Sequence, residues 1–186
     1  MMDLPFLSFD HVAGLILVLS NLVQLPGLIM FWLRAGHKGG APRSPTHYAW
    51  ERTFIAAWVV LSAVGFVLLQ ETMQNGPGQI LAVAGSAAYF FGSVLLATAE
   101  ILSPAEGYGK IYRLAAGYVI IAFLAQAVLG VAMIQSGLLG ARIGWASIVW
   151  NIAWLVILPL ISPRDIYFPI LHSLMPLVVG VALLLK

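Results

Sequence analysis

The sequence predicts an all-α, polytopic integral membrane protein: a six-transmembrane-helix bundle with short loops. Three observations carry that reading. Hydrophobic residues make up 61% of the chain and charged residues 9%, against about 25% charged in a soluble domain, so there is too little polar surface to coat a water-facing globule. Six apolar stretches each approach the roughly 20 residues needed to cross about 30 Å of hydrocarbon. Dividing 186 residues among six spans leaves about 31 each, enough for short connections and no soluble domain. The chain therefore reads as a single membrane domain, 1–186.

The spans are expected at about 11–33, 51–71, 79–102, 113–135, 143–161 and 167–185. Gly- and Pro-containing breaks separate them: 36–45, 75–78, Ser103 with Pro104, 137–140, and Ser162 with Pro163. The segment before the first span has two acids, Asp3 and Asp10, and no base. It does not resemble a cleaved signal, which begins with positive charge. Orientation follows from the bases. Arg34, Lys38, Arg43, Arg52, Lys110, Arg113 and Arg164 cluster on one side, and only Arg142 and Lys186 fall on the other. Basic residues favour the cytoplasm, so both termini are expected on the non-cytoplasmic side of the inner membrane. An offset of about 103 residues aligns Gly14 with Gly117 and Gly27 with Gly130, as halves of a transporter would, but two apolar helices rich in Ala and Gly often match this well by chance.

Polar residues inside the spans sort into two layers. The middle layer is carboxamide: Asn21 and Gln24 in the first span, Gln126 in the fourth and Asn151 in the fifth. In hydrocarbon such groups seek one another or a cavity. If the spans are in register they form a mid-membrane polar cluster, either as interhelical glue or as a ligand pocket. The second layer is ionisable and lies toward the basic side. Glu51 and Arg52 open the second span, Glu100 closes the third, and His172 stands near the start of the sixth. These four are the candidate polar site. A carboxylate beside an arginine is held as an ion pair, and histidine titrates near neutral pH. Ser86, Ser93 and Glu100 recur every seven residues beside Gly85 and Gly92, so that face of the third span is expected to point inward.

The sixth span carries Pro169, His172 and Pro176. Each proline removes a backbone hydrogen bond and can kink the helix beside the histidine. Trp32, Trp50 and Trp145 fall near span ends, as an interfacial belt does. Trp150 and Trp154, four apart, are placed to line a groove or to face lipid.

Several chemistries are set aside. The chain has no cysteine, which removes disulfides, thiolate nucleophiles and iron–sulfur ligation. The four histidines, His11, His37, His47 and His172, are not placed as facing haem ligands, and His37, His47 and Glu51 lack metal-ligand spacing. No HExxH, GxSxG or P-loop occurs. No cofactor or metal is expected. A net charge of +2 does not point to nucleic acid. The expected partners are the lipid bilayer and either other membrane subunits or a lipophilic small molecule. The leading functional expectation is a non-catalytic accessory or scaffold subunit of a membrane assembly. The alternatives are a small transporter, channel or lipophilic-ligand binder with its polar site near the cytoplasmic interface, and a membrane enzyme acting on a lipid or quinone with Glu100 and His172 as its acid–base pair.

Overall fold

A computed structural model describes residues 8–35, 44–162 and 166–186. Among them are six helices: α1 (Phe9–Ala35), α2 (Pro45–Glu71), α3 (Gln79–Glu106), α4 (Tyr108–Ser136), α5 (Ala141–Ile161) and α6 (Pro169–Leu184). The first five are long and apolar enough to cross a membrane, and α6 is a shorter apolar helix. This is a helical bundle of membrane type. Asp3, His37, Lys38, Arg43, Pro163, Arg164 and Asp165 lie outside the described residues.

The boundaries differ from expectation for identifiable reasons. Helix α2 begins six residues before position 51 because Ser44 and Pro45 are a start signal: the Ser44 side chain accepts from the His47 N–H at 3.1 Å, and proline occupies the first turn. Helix α3 runs through Ser103 and Pro104, where a break was expected. One proline costs one hydrogen bond, whereas Gly107 adopts φ +81°, which disfavours any side chain and ends the helix there. Helix α6 has only 16 residues, about 24 Å of rise. It is short because residues 166–168 are not helical. Phe168, with φ −121° and ψ 95°, is extended, and Pro169 opens the helix after it.

Each helix from α1 to α5 packs on the next, and α6 folds back against α1, with lighter contact to α4 and α5. Apolar side chains such as Leu22, Ile29, Val60, Phe90 and Val149 cover the outer surface. Lipid tails are as apolar as these side chains, so burial in the bundle gains little over lipid, and close packing must hold the helices together. Glycine pairs supply it. A Cβ on Gly14 would stand 2.8 Å from the Gly180 carbonyl oxygen, and one on Gly144 would stand 2.7 Å from that of Gly130. The first pair closes α6 on α1; the second joins α4 to α5. The serine face of α3 is buried, as its spacing predicts, and the Ser86 hydroxyl donates to the Phe66 carbonyl of α2 at 2.9 Å.

The carboxamides mostly serve the backbone. Pro176 has no N–H for the carbonyl four residues earlier, which belongs to His172. Gln126 Nε2 donates to that carbonyl at 3.4 Å, so α4 replaces the missing bond of α6. The Ser147 hydroxyl of α5 donates to the Gln126 carbonyl at 3.0 Å, and Asn151 Nδ2 donates to the Ser147 carbonyl at 2.7 Å. Asn21 Nδ2 donates to the Leu17 carbonyl of its own helix at 2.9 Å. Among the described residues, no hydrogen bond joins Asn21 or Gln24 to Gln126 or Asn151. A double-mutant cycle tests the Gln126 role. Gln126→Leu should cost about 0.6 kcal/mol and at most about 2. In a Pro176→Ala background, where the amide N–H returns, the same change should cost close to nothing. Titrated unfolding in mixed micelles measures both, and equal costs in the two backgrounds would refute the assignment.

Candidate functional site

At the basic end of the bundle, four charges of alternating sign form one chain across three helices. Arg34, in the last turn of α1, grips Glu51 of α2 with two parallel bonds, Nε to Oε2 and Nη2 to Oε1, each 3.0 Å. Arg52 Nη2 reaches Glu51 Oε1 at 2.8 Å, and Arg52 Nη1 reaches Glu100 Oε2 of α3 at 3.0 Å. Glu51 and Glu100 are essentially inaccessible, Arg52 is buried, and Arg34 is 16% exposed. Isolated charges at this depth would be costly, and mutual pairing is what permits them. Tyr48 completes the assembly. Its ring lies 4.8 Å below the Arg52 guanidinium and 5.4 Å from that of Arg34, an aromatic platform for both cations, and its hydroxyl is hydrogen-bonded to Ser103. Tyr167, from the non-helical stretch before α6, is buried, its ring 6.4 Å from that of Tyr118.

The structure thus brings together three of the four predicted site residues, Glu51, Arg52 and Glu100. It places the fourth elsewhere. His172 is wholly buried, stacked on Phe123 at 4.1 Å and tilted against Tyr118 at 5.1 Å. Neither ring nitrogen has a hydrogen-bond partner among the described residues. Its carbonyl meets Gln126, so His172 belongs to the carboxamide layer rather than to the ionic rim. Glu100 and His172 therefore occupy different surroundings, one among arginines and the other among aromatic rings.

Arg34, Tyr48, Ser103 and Tyr167 are site members that the sequence reading did not single out. A signal existed for two of them. Tyr48, Glu51, Arg52 and Ile55 follow the spacing of one helix face, and Ser103 stands one turn beyond Glu100. Arg34 and Tyr167 come from elements brought in by tertiary packing.

Beside the ionic chain lies a cavity of about 180 Å³, lined by Phe31, Arg34, Tyr48, Arg52, Ile55, Tyr167 and Pro169. Glu51 and Glu100 do not line it; they sit behind the guanidinium groups. Phe31 and Pro169 are shared with an apolar groove of about 530 Å³ between α1 and α6, which also involves Trp32, Phe168 and Ile170. Leu28 and Ile170 are shared in turn with a groove of about 280 Å³ that reaches Gln24, Ser173 and Leu22. The three spaces follow one α1/α6 seam from the rim inward. From Leu33 to Leu22 the seam covers about 17 Å of helix rise, close to one leaflet of a roughly 30 Å hydrocarbon core. Trp150 and Trp154 meet edge to face at 5.6 Å, and Trp150 Nε1 donates to the Leu171 carbonyl at 2.9 Å, so that pair braces α6 from α5.

No protein-family model, curated protein or solved structure matches the chain. What the fold defines is a class: an all-helical bundle of membrane type.

Proposed function

We propose that the protein is a lipophilic-ligand binder that admits an amphiphile from the bilayer through the α1/α6 seam and holds its polar end at the ionic rim. The single observation that carries this reading is that an apolar groove and a cavity lined by two arginines and two tyrosines lie side by side, with Phe31 and Pro169 lining both. A lipid-facing groove alone would be ordinary in a membrane helix bundle. One that ends on buried charges is a functional site by the usual economy of membranes, since ionisable groups there are costly. On this reading the ionic end faces the cytoplasm of the inner membrane, as the distribution of bases favours.

An accessory or scaffold role is the second reading. Its usual hallmark, small-residue stripes for contact with another subunit, finds less support here. Gly14, Gly130, Gly144 and Gly180 meet one another within the chain.

The experiment is site-specific photocrosslinking. Ile170 joins the two apolar grooves, and Val149 is equally exposed on α5, away from the seam. A photoreactive residue at Ile170 should give a small-molecule adduct by mass spectrometry after purification in mild detergent. The same residue at Val149 should give only diffuse lipid labelling. Identical labelling at both positions counts against the reading, and protein adducts at both favour the scaffold.

A further inference from the structure

We infer that the occupant of the seam carries a neutral oxygen, a carbonyl or a hydroxyl, part-way along its apolar chain, and that Gln24 of α1 recognises it. The inference rests on the ligand-binding reading above and adds a second point of recognition, away from the ionic rim. The inner groove of about 280 Å³ is apolar over most of its wall, with Asn21, Gln24 and Ser173 as its polar lining. Two of these direct their donors to their own helices: Asn21 Nδ2 donates to the Leu17 carbonyl at 2.9 Å, and the Ser173 hydroxyl donates to the Ile170 carbonyl at 2.9 Å. Gln24 differs. It is 1% exposed, and its Nε2 has no hydrogen-bond partner among the described residues. An unmet donor in hydrocarbon is costly, and lipid tails offer it no acceptor. The terminal torsion of a glutamine is broad, so the amide can turn its N–H to the groove with α1 in place.

The surroundings fix the kind of acceptor. Among the described residues no charged side chain lines this groove, so an ionised group would lie there uncompensated, and a neutral oxygen fits. A carbonyl accepts the Gln24 N–H. A hydroxyl accepts it too, and can donate its own proton to Asn21 Oδ1 or to the Ser173 oxygen, both of which keep acceptor capacity. Gln24 precedes Arg34 by ten residues, about 15 Å of helix rise. The oxygen therefore belongs about that far from the polar end of the ligand. A plain acyl chain has only apolar carbon at that depth and would leave Gln24 unmet.

The probes are long-chain alcohols of one length: one with a keto group at mid-chain, one with a hydroxyl there, one with the keto group next to the head, and one unsubstituted. Each is titrated against protein in neutral detergent with a photoreactive residue at Ile170, which lines both apolar grooves, and the adduct is counted by mass spectrometry. The mid-chain keto or hydroxyl probe should reach half-maximal labelling at about fivefold lower concentration than the other two. The tighter of the pair assigns the oxygen as carbonyl or hydroxyl. Gln24→Leu should bring all the probes to the level of the unsubstituted alcohol. It should also leave the unliganded bundle no less stable, since it removes a buried donor that has no partner among the described residues. With the native residue at position 170, an isotope-labelled mid-chain keto group should show its infrared carbonyl band at lower frequency in the wild type than in Gln24→Leu. If Gln24→Leu does not fold, the two keto positions on the wild-type protein decide alone. Equal half-labelling by all four probes overturns the inference and leaves the seam reading standing; a water held by Gln24 would give that result. A mid-chain preference that survives Gln24→Leu overturns the inference as well. No probe adduct at Ile170 above the level at Val149 overturns the seam reading and the inference with it.

Discussion

Glu51→Leu should destabilise the bundle by about 3–5 kcal/mol, the usual cost of removing one partner from a buried ion pair. Glu51 is the middle link of the ionic chain. It neutralises Arg34 through two bonds and Arg52 through a third. Without it, Arg52 keeps Glu100, and Arg34 loses its bidentate carboxylate. Unfolding in mixed micelles at neutral pH measures the loss, and a change below about 1 kcal/mol would show that the network is well solvated. The informative companion is replacement of all four, Arg34, Glu51, Arg52 and Glu100, by leucine. Whole buried ionic networks exchanged for apolar residues are often neutral or stabilising by about 1–4 kcal/mol. A stable quadruple variant that no longer captures an amphiphile would separate the two roles. The charges would then be present for recognition, and folding would not need them.

Gly180→Leu should have the second large effect, a destabilisation of about 3 kcal/mol concentrated at the α1/α6 contact. The new Cβ would stand 2.9 Å from the Gly14 carbonyl oxygen and 2.9 Å from Leu17 Cβ. The carbonyl is backbone and cannot swing aside, so α6 must move away from α1. Its contacts with α4 and α5 are lighter, centred on the Gln126, Phe123 and Trp150 side chains. The chain has no cysteine, so spin labels on cysteines introduced at Asp10 and Lys186 report the separation without background. These residues form an ion pair at 2.8 Å. The label distance should lengthen and broaden in Gly180→Leu. An unchanged distance would mean that the glycine pair is not what closes the bundle.

The two predicted polar layers fared differently for one physical reason. Residues that share a helix are related by fixed geometry, so Glu51 with Arg52, and Ser86 with Ser93 and Glu100, could be placed on faces directly. Residues on different helices are related only by depth, and depth was counted from span ends. That count held for α2 and α3, where Glu51 and Glu100 meet through Arg52. It failed for α6, where the His172 ring lies against Phe123 and Tyr118 and its carbonyl meets Gln126. The carboxamides do not form a single cluster because α1 packs on α2 and α6, whereas Gln126 and Asn151 stand on α4 and α5. In the structure Gln126 attends the carbonyl that Pro176 leaves open, and Asn21 bonds within its own helix.

By itself the sequence determined the class of the protein, the rough positions of its helices and the clustering of its charges at one end. Each of these follows from local composition: apolar length suffices to cross a bilayer, and charge is tolerated where a helix meets the interface. Only the tertiary structure decided that Arg34 completes the ionic chain, that Tyr167 and Tyr48 wall the cavity beside it, and that the cavity adjoins a groove between the first and last helices. Those facts depend on which helices touch. In a membrane that choice rests on close approach at pairs such as Gly14 with Gly180, a complementarity between residues 166 positions apart that no local pattern records.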